Sequence, residues 1–221
     1  MRTVVFDLDG TLADTGADLI AATNTRFQAL GHGDLLHPER DKLVAFRGIR
    51  EMLELGFSRL DDPVDAAEVE LQFPLVVAAY AAEIDRFTQL YPGVEAAVES
   101  LLEGGYRTAI CTNKPVDLAE DLMQRLGVRG LFGAVVGAGS LRQNKPDPAP
   151  YLAAVERAGG TLARSFMVGD TITDHDTARA AGVASVLVTF GPAGRDVAAL
   201  GPDALLDDYA ALAGLADRLV G

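Results

Sequence analysis

The feature that most restricts the fold of this chain is an alternation of short, β-branched runs with longer stretches of helical periodicity. The strands read as TVVFDL (3–8), RTAICT (107–112), GAVVG (133–137), SFMVGD (165–170) and ASVLVTF (184–190). Helices are expected over 93–104, 115–126, 148–159, 174–181 and 208–219, with Gly127, Gly159 and Gly182 standing where helices should stop. Parallel strands need crossovers long enough to hold a helix, so this alternation points to an α/β fold built on a parallel sheet.

One interval breaks the rhythm. Residues 15–87 offer helical periodicity and no strand, and the interval is too long for an ordinary crossover. ADLIAATNTRFQALG places Leu19, Ala22, Phe27 and Leu30 near one helix face, and DAAEVELQFPLVVAAYAAEIDRF continues helically, with a kink or break expected at Pro74. The expected organisation is a core made of 1–14 and 88–221, with a helical cap domain of 15–87 inserted into it. Hinges are expected at Asp14–Gly16 and in TQLYPG, 88–93.

Composition narrows the partners. A chain of 221 residues, 49% hydrophobic, can bury a full core, and no apolar stretch reaches the roughly 20 residues that span a bilayer. Asp7 comes too early for a secretory leader, so a soluble cytoplasmic protein is expected. The single cysteine, Cys111, lies in a strand and reads as a buried, inert thiol, with no disulfide framework or cysteine-based zinc cluster. A formal net charge of −13 argues against nucleic acid or an anionic membrane as partner. An anionic substrate would need local cations to overcome that field. Oligomeric state is not legible.

The first strand ends in two like charges: VVFDLDGTLADT, residues 4–15. Residues two apart on an extended chain point the same way, so Asp7 and Asp9 converge while Leu8 turns aside. Gly10 permits a tight departure of the backbone and Thr11 supplies a hydroxyl. Ligands bind at this end of open parallel sheets. Two carboxylates in one pocket repel, and a hard divalent cation such as Mg²⁺ answers that repulsion. Later strands end in polar groups too: Thr112 and Asn113 in CTNKP, Lys145 in NKPDP, Asp170 and Asp174 in MVGDTITD. Taken singly, each has a plain reading as a cap, turn or solvated loop residue; their coincidence does not.

With Asp7–Thr11, Thr112, Lys145 and Gly169–Asp174 in this order, the sequence resembles a haloacid dehalogenase (HAD) superfamily phosphatase, in the phosphoglycolate phosphatase-like subgroup. The resemblance covers essentially the whole chain. It implies a Rossmann-like core with an inserted helical cap, Mg²⁺, and hydrolysis of a small phosphorylated metabolite. It further implies Asp7 as nucleophile, forming an aspartyl phosphate, and Asp9 as acid and base. Metal ligands would be Asp7, Asp170 and the backbone carbonyl of Asp9. Phosphoryl oxygens would be held by Thr112 and the Asn113 amide, with Lys145 neutralising charge and Asp174 positioning Lys145 or a metal-bound water. Thr171 stands where Ser is more usual, and His175 where an apolar residue generally stands; a partly exposed histidine is expected there.

Asp9 favours phosphoryl transfer over dehalogenation, which needs no acid at that position. An EF-hand loop starting at Asp7 would need Gly at position 12 and Glu at 18, where the chain has Leu12 and Asp18. A dinucleotide-binding GAGS lacks its third glycine, having Arg142 instead. Substrate choice is assigned to the cap, where AFRGIREML (45–53) resembles the loop and helix of phosphoglycolate phosphatase-like members. Arg47 and Gly48 are the candidate specificity residues there, Arg47 pairing with a small carboxylate or standing solvated at a helix start; Arg50, His32 and His37 are weaker. The leading substrate is 2-phosphoglycolate. A sugar phosphomutase on the same core and a non-catalytic binding protein are the alternatives.

Overall fold

The computed structural model describes residues 1–62 and 64–221. The chain divides into two compact units, one of residues 1–13 and 90–221, the other of 14–89.

The first unit holds a six-stranded sheet. Its strands are β1 (Thr3–Phe6), then, after the short β2 (Ala13–Asp14) and β3 (Gln89–Leu90), β4 (Arg107–Pro115), β5 (Ala134–Ala138), β6 (Ser165–Gly169), β7 (Ala184–Val188) and β8 (Ala204–Leu206). The order across the sheet is β5-β4-β1-β6-β7-β8, and every pairing is parallel. β2 and β3 form a separate two-stranded sheet. The expected α/β parallel core is therefore present. Chain order reverses beside β1, which has β4 on one side and the later β6 on the other, and in open parallel sheets ligands bind at the carboxyl ends of the strands at such a reversal.

Burial explains the reading of the strands. Val4, Val5 and Phe6 of β1 are fully buried, as expected of a central strand covered on both faces. Each such side chain stabilises the fold by about 1.5–3 kcal/mol relative to exposure. Every expected strand shifts at one end or both, and two of the shifts bear on the site. β1 stops at Phe6, not at residue 8, because the Leu8 carbonyl accepts from the amides of Thr11, Leu12 and Ala13 and turns the chain. Asp7 still donates its amide to Val168 O at 2.9 Å, which ties the first residue after the strand to β6. β4 runs on to Pro115, beyond its pairing with β1. β8 went unread: it is three residues of ALL on the sheet edge, with neither β-branching nor alternation to mark it.

In the second unit α1 (Gly16–Ala29), α2 (Lys42–Ala45), α3 (Ile49–Phe57) and α4 (Ala66–Ala82) supply the helical character read from the sequence. α4 passes through Pro74 without breaking, contrary to expectation. The proline sits on an exposed face, where water can take the carbonyl it leaves unpaired. The first unit adds α5 (Val94–Glu103), α6 (Val116–Arg125), α7 (Ala149–Arg157), α8 (Ile172–Ala181) and α9 (Leu212–Val220). Gly182 ends α8 at φ 70°, a left-handed stop that favours glycine. Among the described residues no helix is long and apolar enough to cross a membrane.

One buried carboxylate fastens the second unit at its chain ends. Asp18, in the first turn of α1, accepts from Phe87 N at 3.0 Å and from Thr88 N and Oγ1 at 2.8 and 2.7 Å. Asp18→Ala leaves these donors without that acceptor and is expected to cost about 2–4 kcal/mol in denaturant unfolding. A loss under about 0.5 kcal/mol, the range of an ordinary surface change, would contradict this role.

Candidate active site

Each candidate side chain stands at or just beyond the end of a parallel strand. Asp7 follows β1, Thr112 and Lys114 lie on the extension of β4, Lys145 follows β5, and Asp170 follows β6, with Asp174 in the first turn of α8. Lys145 Nζ lies 2.6 Å from Asp174 Oδ1 and 2.9 Å from Asp7 Oδ1. The contact to Asp7 is an ion pair between a buried ammonium and a buried carboxylate oxygen. The other Asp174 oxygen accepts from Asp170 N (3.1 Å), Thr171 N (3.0 Å) and Thr171 Oγ1 (2.7 Å), closing a capping box on α8. Thr11 Oγ1 donates to Asp170 Oδ1 at 2.9 Å.

Glycines allow the close approach. A Cβ on Gly10, which has φ +82°, would stand 2.4 Å from Asp170 Oδ2, and one on Gly169 would meet Asp174. Asn113 clamps the Lys145 loop: its Nδ2 donates to Lys145 O at 3.0 Å and its Oδ1 accepts from Lys145 N at 2.9 Å.

The structure brings Asp7, Asp170 and Asp174 together, with one ligand oxygen of each within 4.8 Å of the others. The Asp9 carboxylate is not in that cluster. It accepts instead from Lys114 Nζ at 2.8 Å. Lys114 is not among the residues expected from the sequence; its signal is the period of two along β4, which sets it on the same side as Thr112. His175 also differs from expectation. It is buried rather than partly exposed, with Nδ1 3.0 Å from Ser185 Oγ, because α8 lays that face on β7. Arg47 and Gly48 belong to the second unit, Arg47 exposed just before α3 and Gly48 at φ 138°.

A family model described as haloacid dehalogenase-like hydrolase matches residues 4–188. This chain belongs to that family. Among curated relatives, the phosphoglycolate phosphatase of Agrobacterium fabrum is 36% identical over 94% of this chain and 89% of its own length. That of Mesorhizobium japonicum is 36% identical over 98% of this chain and 96% of its own. A crystal structure from Haemophilus somnus, named a predicted phosphoglycolate phosphatase, superposes with TM-score 0.83 at 25% identity, covering 97% of each chain. The expected resemblance to phosphoglycolate phosphatase-like HAD proteins is thereby borne out, as are the expected fold and an enzyme of the phosphatase hydrolase class.

The electrostatics of this HAD hydrolase state what its carboxylates lack. Burial pushes the Asp7 carboxyl up to about 7; the Lys145 charge opposes the rise, and Asp174 and Asp9 add to it. Asp170 is raised well above the ordinary range, by burial first and then by Asp174 and Asp7. Burial would lower Lys145, but Asp174 and Asp7 outweigh it and hold the ammonium above its usual value. Cys111 is pushed up to about 12 by burial, an inert thiol. An all-oxygen donor set of three buried carboxylates, whose mutual repulsion one lysine only partly offsets, fits a hard divalent cation.

The folded metal-free chain holds a proton on Asp7 that the unfolded chain, with its carboxyl at 3.8, releases. Its stability therefore falls as pH rises from 3.8 through about 7, and a cation bound to the ionised cluster restores it. In thermal unfolding, millimolar Mg²⁺ is expected to raise Tm by about 3 °C or more near pH 7.5 and by much less near pH 5, and to lose the effect in Asp170→Asn. An equal gain at both pH values, or a gain that survives Asp170→Asn, would contradict the site.

Proposed function

We propose that this chain is a Mg²⁺-dependent phosphomonoester hydrolase that works through an aspartyl phosphate on Asp7, with 2-phosphoglycolate as substrate. The observation that carries the reading is the buried Asp7 carboxylate at the carboxyl end of β1, with the Lys145 ammonium 2.9 Å away. A carboxylate so placed can approach an anionic phosphorus only because cationic charge stands beside it.

In the first half-reaction an Asp7 oxygen attacks phosphorus and the bond to the leaving oxygen breaks. Asp9 gives that oxygen a proton, so an alcohol departs. In the second half, Asp9 takes a proton from water, the water oxygen attacks phosphorus, and the bonding pair returns to Asp7 with release of inorganic phosphate. Thr112 Oγ1 and the Asn113 amide hold the phosphoryl oxygens, Lys145 balances their charge, and the Asn113 side chain keeps the Lys145 loop in place. Asp174 holds Lys145 by its 2.6 Å contact. Asp7, Asp170 and the Asp9 carbonyl would hold Mg²⁺, with Asp174 close enough to join them. When bound, Mg²⁺ neutralises phosphoryl charge and orients the phosphate.

Residues 1–14 and 88–221 are assigned as the catalytic core and 15–87 as the cap that selects substrate. Two features support 2-phosphoglycolate: the relatives that carry the name phosphoglycolate phosphatase, and Arg47, an exposed guanidinium suited to a small carboxylate. The absence of a membrane-crossing helix among the described residues is compatible with action on a small metabolite in the cytoplasm.

Phosphate release from a panel of phosphorylated metabolites tests the reading. With Mg²⁺, 2-phosphoglycolate should give the highest kcat/KM, and Asp7→Asn should lower turnover at least about 10³-fold. Turnover that survives in Asp7→Asn would remove the nucleophile, and a better substrate without a carboxylate would remove the substrate assignment.

A further inference from the structure

Two lysines serve the carboxylates of the first unit, and only one of them, Lys145, balances phosphoryl charge in the proposed reaction. Lys145 faces Asp7 and Asp174. Lys114 faces Asp9, with Nζ 2.8 Å from Oδ1; its side chain is 4% exposed and that of Asp9 is 19%. A lysine buried to this degree has lost most of its hydration, and lysines are seldom so buried without a charge to meet.

The backbone that presents Lys114 is fixed from two sides. Lys114 N donates to Thr112 Oγ1 at 3.2 Å. On the other side β5 packs so closely that a Cβ on Gly137 would come 2.6 Å from Lys114 O. Lys114 also lies where β4 has outrun β1 and its register against β5 shifts, between Cys111 and Pro115. The side chain is thus carried across to the loop that follows β1, the loop that bears Asp9.

Charge accounts for the need. Asp7, Asp170 and Asp174 crowd together, and Asp9 adds to the field on Asp7. Without a partner of its own, a mobile Asp9 carboxylate would be drawn to any cation bound in that cluster. The ion pair instead directs it elsewhere. Four carboxylates and two lysines leave two formal negative charges, which one divalent cation cancels.

We infer that Lys114 is a positioning residue for proton transfer: it holds the Asp9 carboxylate out of the Asp7–Asp170–Asp174 cluster and aimed at the oxygen that leaves phosphorus or attacks it. The inference rests on the reading of Asp9 as the proton-transfer group. Lys114 itself makes and breaks no bond. In the first half-reaction Asp9 carries a proton on the oxygen that does not face Lys114 and hands it to the leaving oxygen as the P–O bond breaks, then recovers one from the attacking water.

Leaving-group dependence separates this role from a purely structural one. The departure of p-nitrophenolate needs no proton, whereas an alkoxide does, and kcat/KM reports only the steps through transfer to Asp7. The ratio of kcat/KM for the alkyl phosphate that the unaltered enzyme turns over best to that for p-nitrophenyl phosphate is therefore the readout. In Lys114→Met this ratio should fall roughly 30-fold, a share of the 10²–10⁴ that a positioned proton donor supplies. Lys114→Arg, which keeps the charge, should recover most of it, and Asp9→Asn should lower it at least as far. If Lys114→Met does not fold, Lys114→Gln is read by the same ratio. An unchanged ratio at Lys114 beside a lowered one in Asp9→Asn overturns the positioning role alone. An unchanged ratio in Asp9→Asn overturns both that role and the reading of Asp9.

Discussion

The active-site end of this sheet depends on one constraint: several carboxylates are buried within a few ångströms of each other, and each needs a cation or a donor. Lys145 meets the constraint at its centre by reaching Asp7 and Asp174 at 2.9 and 2.6 Å. Other features follow from that placement. Asn113 holds the Lys145 backbone from two directions, the capping box of α8 occupies the second Asp174 oxygen, and Thr11 takes an oxygen of Asp170. A buried ion pair of this kind is a weak source of stability, because desolvation offsets much of the attraction. In the proposed function its value lies in holding charge where a phosphate would be met.

The sheet makes the cluster possible because parallel strands deliver their carboxyl ends to one edge. β1 lies between β4 and β6, so the residues that follow three neighbouring strands converge without long loops. Gly10 and Gly169 then remove the Cβ atoms that would keep Asp170 and Asp174 at a distance. Membership of the haloacid dehalogenase-like hydrolases accords with this arrangement, and the match over residues 4–188 runs through β7.

Much of this was legible in the sequence, for physical reasons. Central strands buried on both faces leave apolar β-branched runs, and charged residues at their ends stand out against them. Asp7, Lys145, Asp170 and Asp174 were visible in that way. Features set by tertiary contact were less legible. The edge strand β8 exists only through its pairing with β7 and carries no pattern of its own. Pro74 looked like a break, because nothing in the sequence says that its unpaired carbonyl would face water. His175 looked exposed because polar residues surround it in sequence, yet it packs beside Ser185. Lys114 was concealed by an assumed end of β4 at residue 112; once the strand runs to Pro115, its side chain falls into line with Thr112.

The proposed reaction requires Asp7 to become the covalent phosphate carrier. Rapid acid quenching of the enzyme during turnover of a ³²P-labelled phosphate monoester, followed by peptide mapping, tests it most directly. An aspartyl phosphate on Asp7 gives acid-stable, hydroxylamine-labile label on the peptide that contains Asp7, and none in Asp7→Asn. Label on a different residue, or steady turnover with no labelled protein at any quench time, would contradict it.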